Sequence, residues 1–410
     1  MISVDEAWAA IGAVAPLHQT ETIDLADAVG RVLAAPLIAN RTQPPRNVSA
    51  MDGYAVRIVD IDNGVTSFSV IGEAQAGGGF RAAVGEAEAV RIFTGAIVPE
   101  GADHIIIQED VARTTERDEG DGGNNDMISL AAAQSSARHI RLAGQDFSKG
   151  DELLPQGRLL SPADLALAAN GNHAALTVFA QPRIAFIASG DEIVPAGSAA
   201  TDRQIPDSIS AALAAMVRHW GGLCIAQTIT PDDKDTFTAE IKALPDCDII
   251  VPIGGASVGD YDYAKDVFYA LGFTPGFEKI AVKPGKPCWF AKGVNSKNMN
   301  SHVLGLPGNP SSAMVTATLF LRPLIAQLAG FETPQDWSEA ILTAPLNANG
   351  SRETYLRGKY ALTEGLVEVT ISARQDSALT SVFADANCLV KRPANAPAQK
   401  AGDMVTILPL

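Results

Sequence analysis

The chain has 410 residues, which at roughly 150 residues per domain predicts two to four folded units. Asp and Glu number 47 against 31 Lys and Arg, a net charge of −16 that excludes a duplex nucleic-acid or anionic membrane surface as the main partner. A local cation cluster for a small anion is compatible with that balance, and 47 % hydrophobic residues with 19 % charged ones exclude a disordered chain.

Taken in chain order, Val4, Ala7, Trp8, Ile11 and Val14 keep a helical rhythm that Pro16 limits. Asp5, Glu6 and the lack of a basic run before Leu17 do not fit a secretory signal. From about Asn40 to Gly144 the pattern turns to short alternating runs: Tyr54–Val56, Phe68–Val70, Val90–Phe93 and Ile105–Ile107. Glycine and turn residues between them predict a β-rich domain, with the acidic stretch from Thr114 to Asp126 as a solvated hairpin tip.

From Gln181 to about Leu328 strands and helices alternate. Predicted strands are Arg183–Ala188, Leu223–Ile229, Asp248–Ile253, Lys279–Val282, Trp289–Ala291 and His302–Leu306. Predicted helices are Ile209–Trp220, Phe237–Leu244, Asp262–Leu271 and a long one over Asn309–Leu328. That alternation implies a mostly parallel sheet covered on both faces, with ligands at the carboxyl ends of its strands. Short strands return at Ile341-Leu342, Tyr355-Leu356, Val367–Ile371 and Met404–Leu408, as in a small barrel or sandwich. No segment approaches the ~18 apolar residues of a membrane span.

Cys224, Cys247, Cys288 and Cys388 form no CxxC pair and read as reduced, buried thiols of a cytoplasmic protein. The histidines show no HExxH spacing. Three glycine-rich turns fall where strands of the βα region end: Ser189–Glu192, Gly254–Asp260 and Leu306–Ser312. Glycine lets backbone approach a ligand, and a following helix start offers free N–H groups. None of the three is a Walker A or a GxGxxG motif.

Residues 279–287 carry Lys279, Lys283 and Lys286, the last two presented by a turn that Pro284 and Pro287 flank. A constrained cationic turn of this kind suits a tetrahedral oxyanion. Asp52, Asp207, Asp232 and Asp260 stand beside Gly, Ser or Pro, and Asp146, Glu192 and Asp262 within three residues of a glycine. Each could cap a turn, and several together could hold a hard cation such as Mg²⁺. Gly255–Gly259 also fits G-x-S-x-G, but only His302 follows and no His-Gly-Gly lies upstream, so a hydrolase elbow is the weaker reading.

As an ordered set these motifs resemble the molybdopterin molybdenumtransferases, the MoeA family that includes the gephyrin E domain. The set runs Ser49–Ala55, Arg91–Ala96, Pro99–Asp103, Glu109, Gly144–Asp146, Gly190–Glu192, GGASVGDYD at 254–262, KPGKP at 283–287, GLPGNPSSA at 305–313, Ala386-Asn387 and Gly402–Val405.

The resemblance implies a multidomain α/β plus β fold. Its parts would be a doubly wound molybdopterin-binding domain (1–20 and 176–330), a linker domain (21–40 and 145–175), a β-rich domain (41–144) and a C-terminal β-barrel (331–410). It implies insertion of molybdate into adenylylated molybdopterin with Mg²⁺-dependent release of AMP, in a homodimer whose site spans both chains. An upstream molybdopterin adenylyltransferase and a downstream molybdoenzyme or chaperone would be its partners.

By motif, Lys283, Lys286, Ser312, Ser377 and an arginine, Arg352 or Arg357, would hold molybdate. Gly254, Gly255, Ser257, Pro307, Asn309 and Pro310 would cradle phosphate and nucleotide. Asp52, Thr94, Arg141 and Asp146 would reach in from the partner's β-rich domain, and Lys279 would offset developing charge. Glu192, Asp232 and Asp262 would manage Mg²⁺. Ile209 departs from the family pattern, which has Asn there. A divergent paralogue or scaffold of the same fold is the alternative, and a scaffold would have no need of Asp52, the lysine pair or Glu192.

Overall fold

The structure, a computed structural model, describes residues 1–117, 124–131, 137–254, 263–294, 300–331 and 336–410. The opening helix α1 (Val4–Gly12) begins at a capping box. Ser3 Oγ accepts the Glu6 N–H, and Glu6 Oε2 accepts the Ser3 N–H. Val4, Ala7 and Ile11 then face the core, as their spacing predicts.

The central sheet contains β1 (Arg183–Ser189), β2 (Leu223–Thr230), β3 (Ile249–Ile253), β4 (Thr274–Phe277), β5 (Trp289–Val294) and β6 (Asn300–Gly305). Its order is β2-β1-β3-β6-β5-β4, with the first four strands parallel and β5 and β4 antiparallel at one edge. The order reverses beside β1, which opens a crevice at the carboxyl ends of β1 and β3.

Two expectations are corrected in this sheet. Residues 279–282 are not a sheet strand: Ile280 only bridges to Ile2, and Val282-Lys283 joins another sheet. The edge strand is instead β4, whose Pro275 and Gly276 hide its apolar pattern.

The long C-terminal helix of this region runs from Pro310 to Ala329, with a π-turn at Ala317–Leu321. Pro323 has no N–H for the carbonyl of Leu319, and the Trp8 indole N–H takes that acceptor at 2.8 Å. The helix is long and apolar enough to cross a membrane, but 78 % of its most apolar window is buried inside the protein. It is a core helix.

The C-terminal strands Ser338–Leu342, Glu353–Thr363, Leu366–Ile371, Cys388–Arg392 and Met404–Pro409 close into a five-stranded barrel. Tyr355, Phe383, Leu389 and Leu408 of this part share one apolar cluster with α1, β1, β3 and the long helix. The barrel and the α/β sheet therefore rest on a common core.

The β-rich region is a separate six-stranded sheet of Gly53–Val56, Ser67–Ala74, Glu88–Ile92, His104–Ile107, Val111–Arg117 and Asn124–Leu130, with apolar clusters of its own. The expected hairpin tip is shorter than its polar stretch, because Val111–Arg117 and Asn124–Leu130 pair up to Arg117 and Asn124. Between this sheet and the centre lie two small strand pairs, Thr20–Asp24 with Ala175–Phe179 and Leu37-Ile38 with Glu152–Leu154. The helix Pro162–Asn170 covers them.

Cys247, Cys288 and Cys388 are buried and Cys224 half-buried, all four as free thiols. Burial pushes these thiols up, Cys388 to about 11 and Cys247 to about 12, which makes them inert fillers at neutral pH.

Candidate active site

The lysine turn is built by two sheets at once. Val282-Lys283 adds in parallel to the barrel strand Glu353–Thr363, so Lys283 sits opposite Thr354. Behind the turn Gly285 has φ +108, and a Cβ there would lie 2.1 Å from Thr316 Cγ2 of the long helix. Only glycine lets the turn lie this close. Lys283 and Lys286 are left exposed at the mouth of a cleft of about 420 Å³.

The cleft is lined by Lys283, Lys286, Ser312, Arg352, Arg357 and Ser377, with Asp376 its one acidic lining residue. Arg352 Nη1 donates to the Val282 carbonyl at 3.3 Å, which ties it to the turn. Arg357 is 1 % exposed; its Nη2 donates to the Asp376 carbonyl at 3.1 Å and its Nε has no partner. Burial lowers its pKa, yet a guanidinium stays charged. Among the described residues none of these four cations pairs with a carboxylate. Asp376 is itself occupied, accepting the Ala378 N–H at 2.8 Å. A cleft with four unpaired cations in a chain of net charge −16 is a place for an anion.

The turn Leu306–Ser312 joins this cleft to the sheet edge. Asn309 Nδ2 donates to Ser377 Oγ at 3.0 Å, and Ser311 Oγ to the Leu379 carbonyl at 2.8 Å. On its other side, a Cβ on Gly308 would lie 3.4 Å from Gly254 Cα, so two glycine turns meet backbone to backbone. Pro307 is buried beneath them and Pro310 starts the helix.

At the ends of β1 and β2 the Asp232 N–H donates to Asp191 Oδ1 at 3.0 Å. Burial, then Asp191, then Glu192 push the Asp232 carboxyl up. Three acids thus crowd one edge of the crevice. Among the described residues no three His, Cys, Asp or Glu side chains come close enough to cage a metal ion. Gly255, Ser257, Asp260 and Asp262 lie outside the described residues, as does the whole G-x-S-x-G stretch. His302 pairs in β6 with Ile249, the first residue of β3 and so at the other end of that strand from Gly254, which removes the base a hydrolase triad would need.

The third group lies in the β-rich region. Asp52 Oδ1 accepts the Thr94 N–H at 2.7 Å and the Thr94 hydroxyl at 2.8 Å, and these bonds hold its carboxyl below the usual range. The strand pair Val48-Ser49 with Ile140-Arg141 brings an exposed Arg141 to the same corner. Asp146 is exposed on the next turn, its N–H donating to the Gln43 carbonyl. Among the described residues no hydrogen bond or ion pair ties this corner to the cleft.

The motif reading puts Lys279 in the site, but it does not line the cleft. It is exposed, and its carbonyl accepts the Ile2 N–H. Asp207 caps the helix Ser210–His219, accepting from Ile209 and Ser210, while Ile209 is only 8 % exposed and packs into the shared core. Two residues near the site, Arg91 and Tyr263, are given no role by the motif reading, although Arg91 opens the Arg91–Ala96 motif. Arg91 stands between the Tyr54 and Phe93 rings at 5.0 and 4.9 Å and donates to the Gly53 carbonyl at 3.0 Å, which braces the Asp52 turn. Its signals are its place at the head of the Arg91–Ala96 motif and a lone cation inside the apolar run Val90–Phe93. Tyr263, the other, follows the GGASVGDYD motif directly, and its hydroxyl donates to the carbonyl of Pro231, just before Asp232, at 3.4 Å.

Comparison with known proteins agrees with this arrangement region by region. Residues 2–171 match the family described as MoeA N-terminal region (domain I and II), and 185–327 a probable molybdopterin binding domain. Residues 339–410 match the MoeA C-terminal region (domain IV). A molybdopterin molybdenumtransferase of Haemophilus influenzae is 35 % identical over 100 % of this chain and 98 % of its own length. One of a Nostoc species is 32 % identical over 96 % and 89 %. The solved structure of a molybdopterin biosynthesis MoeA protein from Pyrococcus horikosii superposes with a TM-score of 0.79 at 28 % identity, over 99 % of this chain and 98 % of that one.

Fold and site together define a multidomain transferase of molybdenum cofactor biosynthesis. The chain belongs to the molybdopterin molybdenumtransferase, or MoeA, family.

Proposed function

We propose that the protein inserts molybdate into adenylylated molybdopterin with release of AMP, working as a cytoplasmic homodimer. The observation that carries this reading is the convergence of Lys283, Lys286, Arg352, Arg357, Ser312 and Ser377 on one cleft beside the glycine turns. Molybdate is a tetrahedral dianion, and unpaired ammonium, guanidinium and hydroxyl donors are the groups that bind one. The turns at Gly254 and at Pro307–Pro310 would take the phosphate and nucleotide, since bare backbone can approach there. An upstream adenylyltransferase would supply the substrate, and a molybdoenzyme or chaperone would receive the product.

The acids at the crevice would be the Mg²⁺ ligands, with Asp262, outside the described residues, needed to complete a set that the described residues alone do not form. Asp232 is pushed up by its own burial and by neighbouring carboxylates, and a cation would relieve that crowding. Glu192 and Asp232 would hold the ion, with Asp262 as a further ligand. Bound there, Mg²⁺ would neutralise charge on the pyrophosphate oxygens. The protein's own contribution is to hold molybdate in the cleft and to aim the phosphate at it from the adjoining turns.

The Asp52–Thr94–Arg141 corner has its own sheet and its own core, which suits a second copy's cleft as its destination. The four units expected from sequence are retained as the division of the chain.

The test is AMP release from adenylylated molybdopterin with molybdate and Mg²⁺. No release above background from folded, dimeric protein would overturn the reaction. Mixing inactive Lys283→Ala and Asp52→Ala chains tests the shared site. A two-fold dimer built across chains regains about a quarter of wild-type activity on random exchange. No recovery despite proven exchange overturns the crossed arrangement.

A further inference from the structure

We propose that Gln375 is a positioning residue of the cation cleft, its side-chain amide tying the segment that carries Ser377 to the backbone of Arg357. The inference rests on the reading of the cleft as the molybdate site and adds a residue that no motif assigned.

The antiparallel ladder between Glu353–Thr363 and Leu366–Ile371 ends where Gly358 stands opposite Ile371, and Arg357 is the next residue. Its carbonyl still accepts the Ser372 N–H at 3.1 Å. Beyond that the strand stops, and the Gln375 side chain takes its place. Gln375 Oε1 accepts the Arg357 N–H at 3.0 Å. Gln375 Nε2 donates to the Arg357 carbonyl at 2.9 Å and to the Ser372 carbonyl at 2.8 Å. The amide oxygen and both amide protons are thus spent on backbone, and Arg357 itself is buried.

The next two residues continue the tie. The Asp376 carbonyl accepts Arg357 Nη2 at 3.1 Å, so the arginine is held at its backbone by one residue and at its guanidinium by the following one. Ser377 then reaches the turn before the long helix. Its hydroxyl accepts Asn309 Nδ2 at 3.0 Å, and its carbonyl accepts the Ser311 N–H at 2.9 Å. Gln375, Asp376 and Ser377 all line the cleft, and together they join the barrel strand to that turn.

A neutral amide suits this position. It both donates and accepts, as a strand residue would, and it leaves the four cations of the cleft free for an anion. A carboxylate of the same length could accept the Arg357 N–H but could donate to neither carbonyl, and its charge would oppose the anion. A buried N–H left without an acceptor costs more than the bond itself contributes. Without the amide, the segment must therefore move to let water in, and Ser377 moves with it. Support of this kind, from a residue that need not touch the ligand, keeps a binding constellation in register.

The test is Gln375→Met, which keeps the length of the side chain and removes its hydrogen bonds. Calorimetric titration should show molybdate binding weakened about 10-fold, the net worth of one or two such bonds. KM for molybdate should rise by a similar factor. The kcat at saturating molybdate and KM for adenylylated molybdopterin should stay near wild type. Gln375→Asn, which keeps the amide but draws it back by one methylene, should lose as much, because placement and not polarity is what the cleft requires.

Wild-type molybdate affinity in either folded variant overturns the proposal, and so does a lowered melting temperature with KM for molybdate unchanged, the mark of a role in barrel stability alone. A wild-type protein that binds no molybdate overturns the cleft reading and this proposal with it. If wild type binds molybdate but releases no AMP, the proposed reaction alone fails, and the binding comparison still decides on Gln375.

Discussion

The cation cleft and the Asp52 corner are two halves of one proposed chemistry, and they are built in opposite ways. The cleft draws on the lysine turn, the long helix and the barrel, three segments joined through a single apolar core. Its geometry cannot shift without moving that core. The corner is made by bonds within the β-rich region: Asp52 to Thr94, Arg91 to Gly53, and the separate strand pair Val48-Ser49 with Ile140-Arg141. It is held by apolar clusters of its own, apart from the core that carries the cleft.

Removing a cation from the cleft should have the largest effect on function. Lys283→Ala is expected to weaken molybdate binding about 10- to 100-fold, the worth of a charge-assisted hydrogen bond. Calorimetric titration should show pterin binding nearly unchanged. Equal loss of both would merge the two subsites and break the distinction between cleft and sheet edge.

The next contrast uses the two crowded glycines. A Cβ at Gly53 would lie 2.0 Å from the Ile106 carbonyl oxygen, and one at Gly285 2.1 Å from Thr316 Cγ2. Each alanine variant should lose about 1–3 kcal/mol by overpacking, in different places. Hydrogen exchange should rise around 53–56 and 104–107 in Gly53→Ala while molybdate binding survives. Gly285→Ala should lose molybdate binding with the β-rich sheet still protected. Loss of both properties in either variant would mean the regions do not stand independently.

The smallest effect concerns acid. The Thr94 bonds depress Asp52 in the folded state, so its contribution to stability is present above the ordinary carboxylate pKa of about 4 and is lost as pH falls through the lowered folded value. Asp52→Asn should flatten the acid limb of the β-rich region's unfolding curve below about pH 4, without touching the limb of the core shared by sheet and barrel. An unchanged limb would remove the Thr94 bonds as the cause.

Much of the site is legible in the order of the residues alone. Gly254, Gly285 and the Pro307–Pro310 turn are readable because close backbone approach demands particular residues at adjacent positions. The lysine pair stands out for the same reason, two cations on a turn stiffened by two prolines in an acidic chain. Residues 279–282 read wrongly as a strand of the central sheet, because their apolar alternation serves a bridge to Ile2 and a barrel strand instead. The brace that Arg91 makes between two rings is not legible, because an arginine in a strand names no ring partner even where its motif is recognised.

By itself, then, the sequence determined the turns, the helix starts and the kinds of ligand the chain can hold, since those depend on neighbouring residues and the chirality of the backbone. Only the tertiary structure decided that Ser377 meets Asn309, that Lys283 lies opposite Thr354, and that Trp8 answers the carbonyl freed by Pro323. Such pairings join residues far apart in the chain. They are chosen by which packing buries the most apolar surface at once, and a hydrophobic pattern states how much each segment must bury without naming its partner.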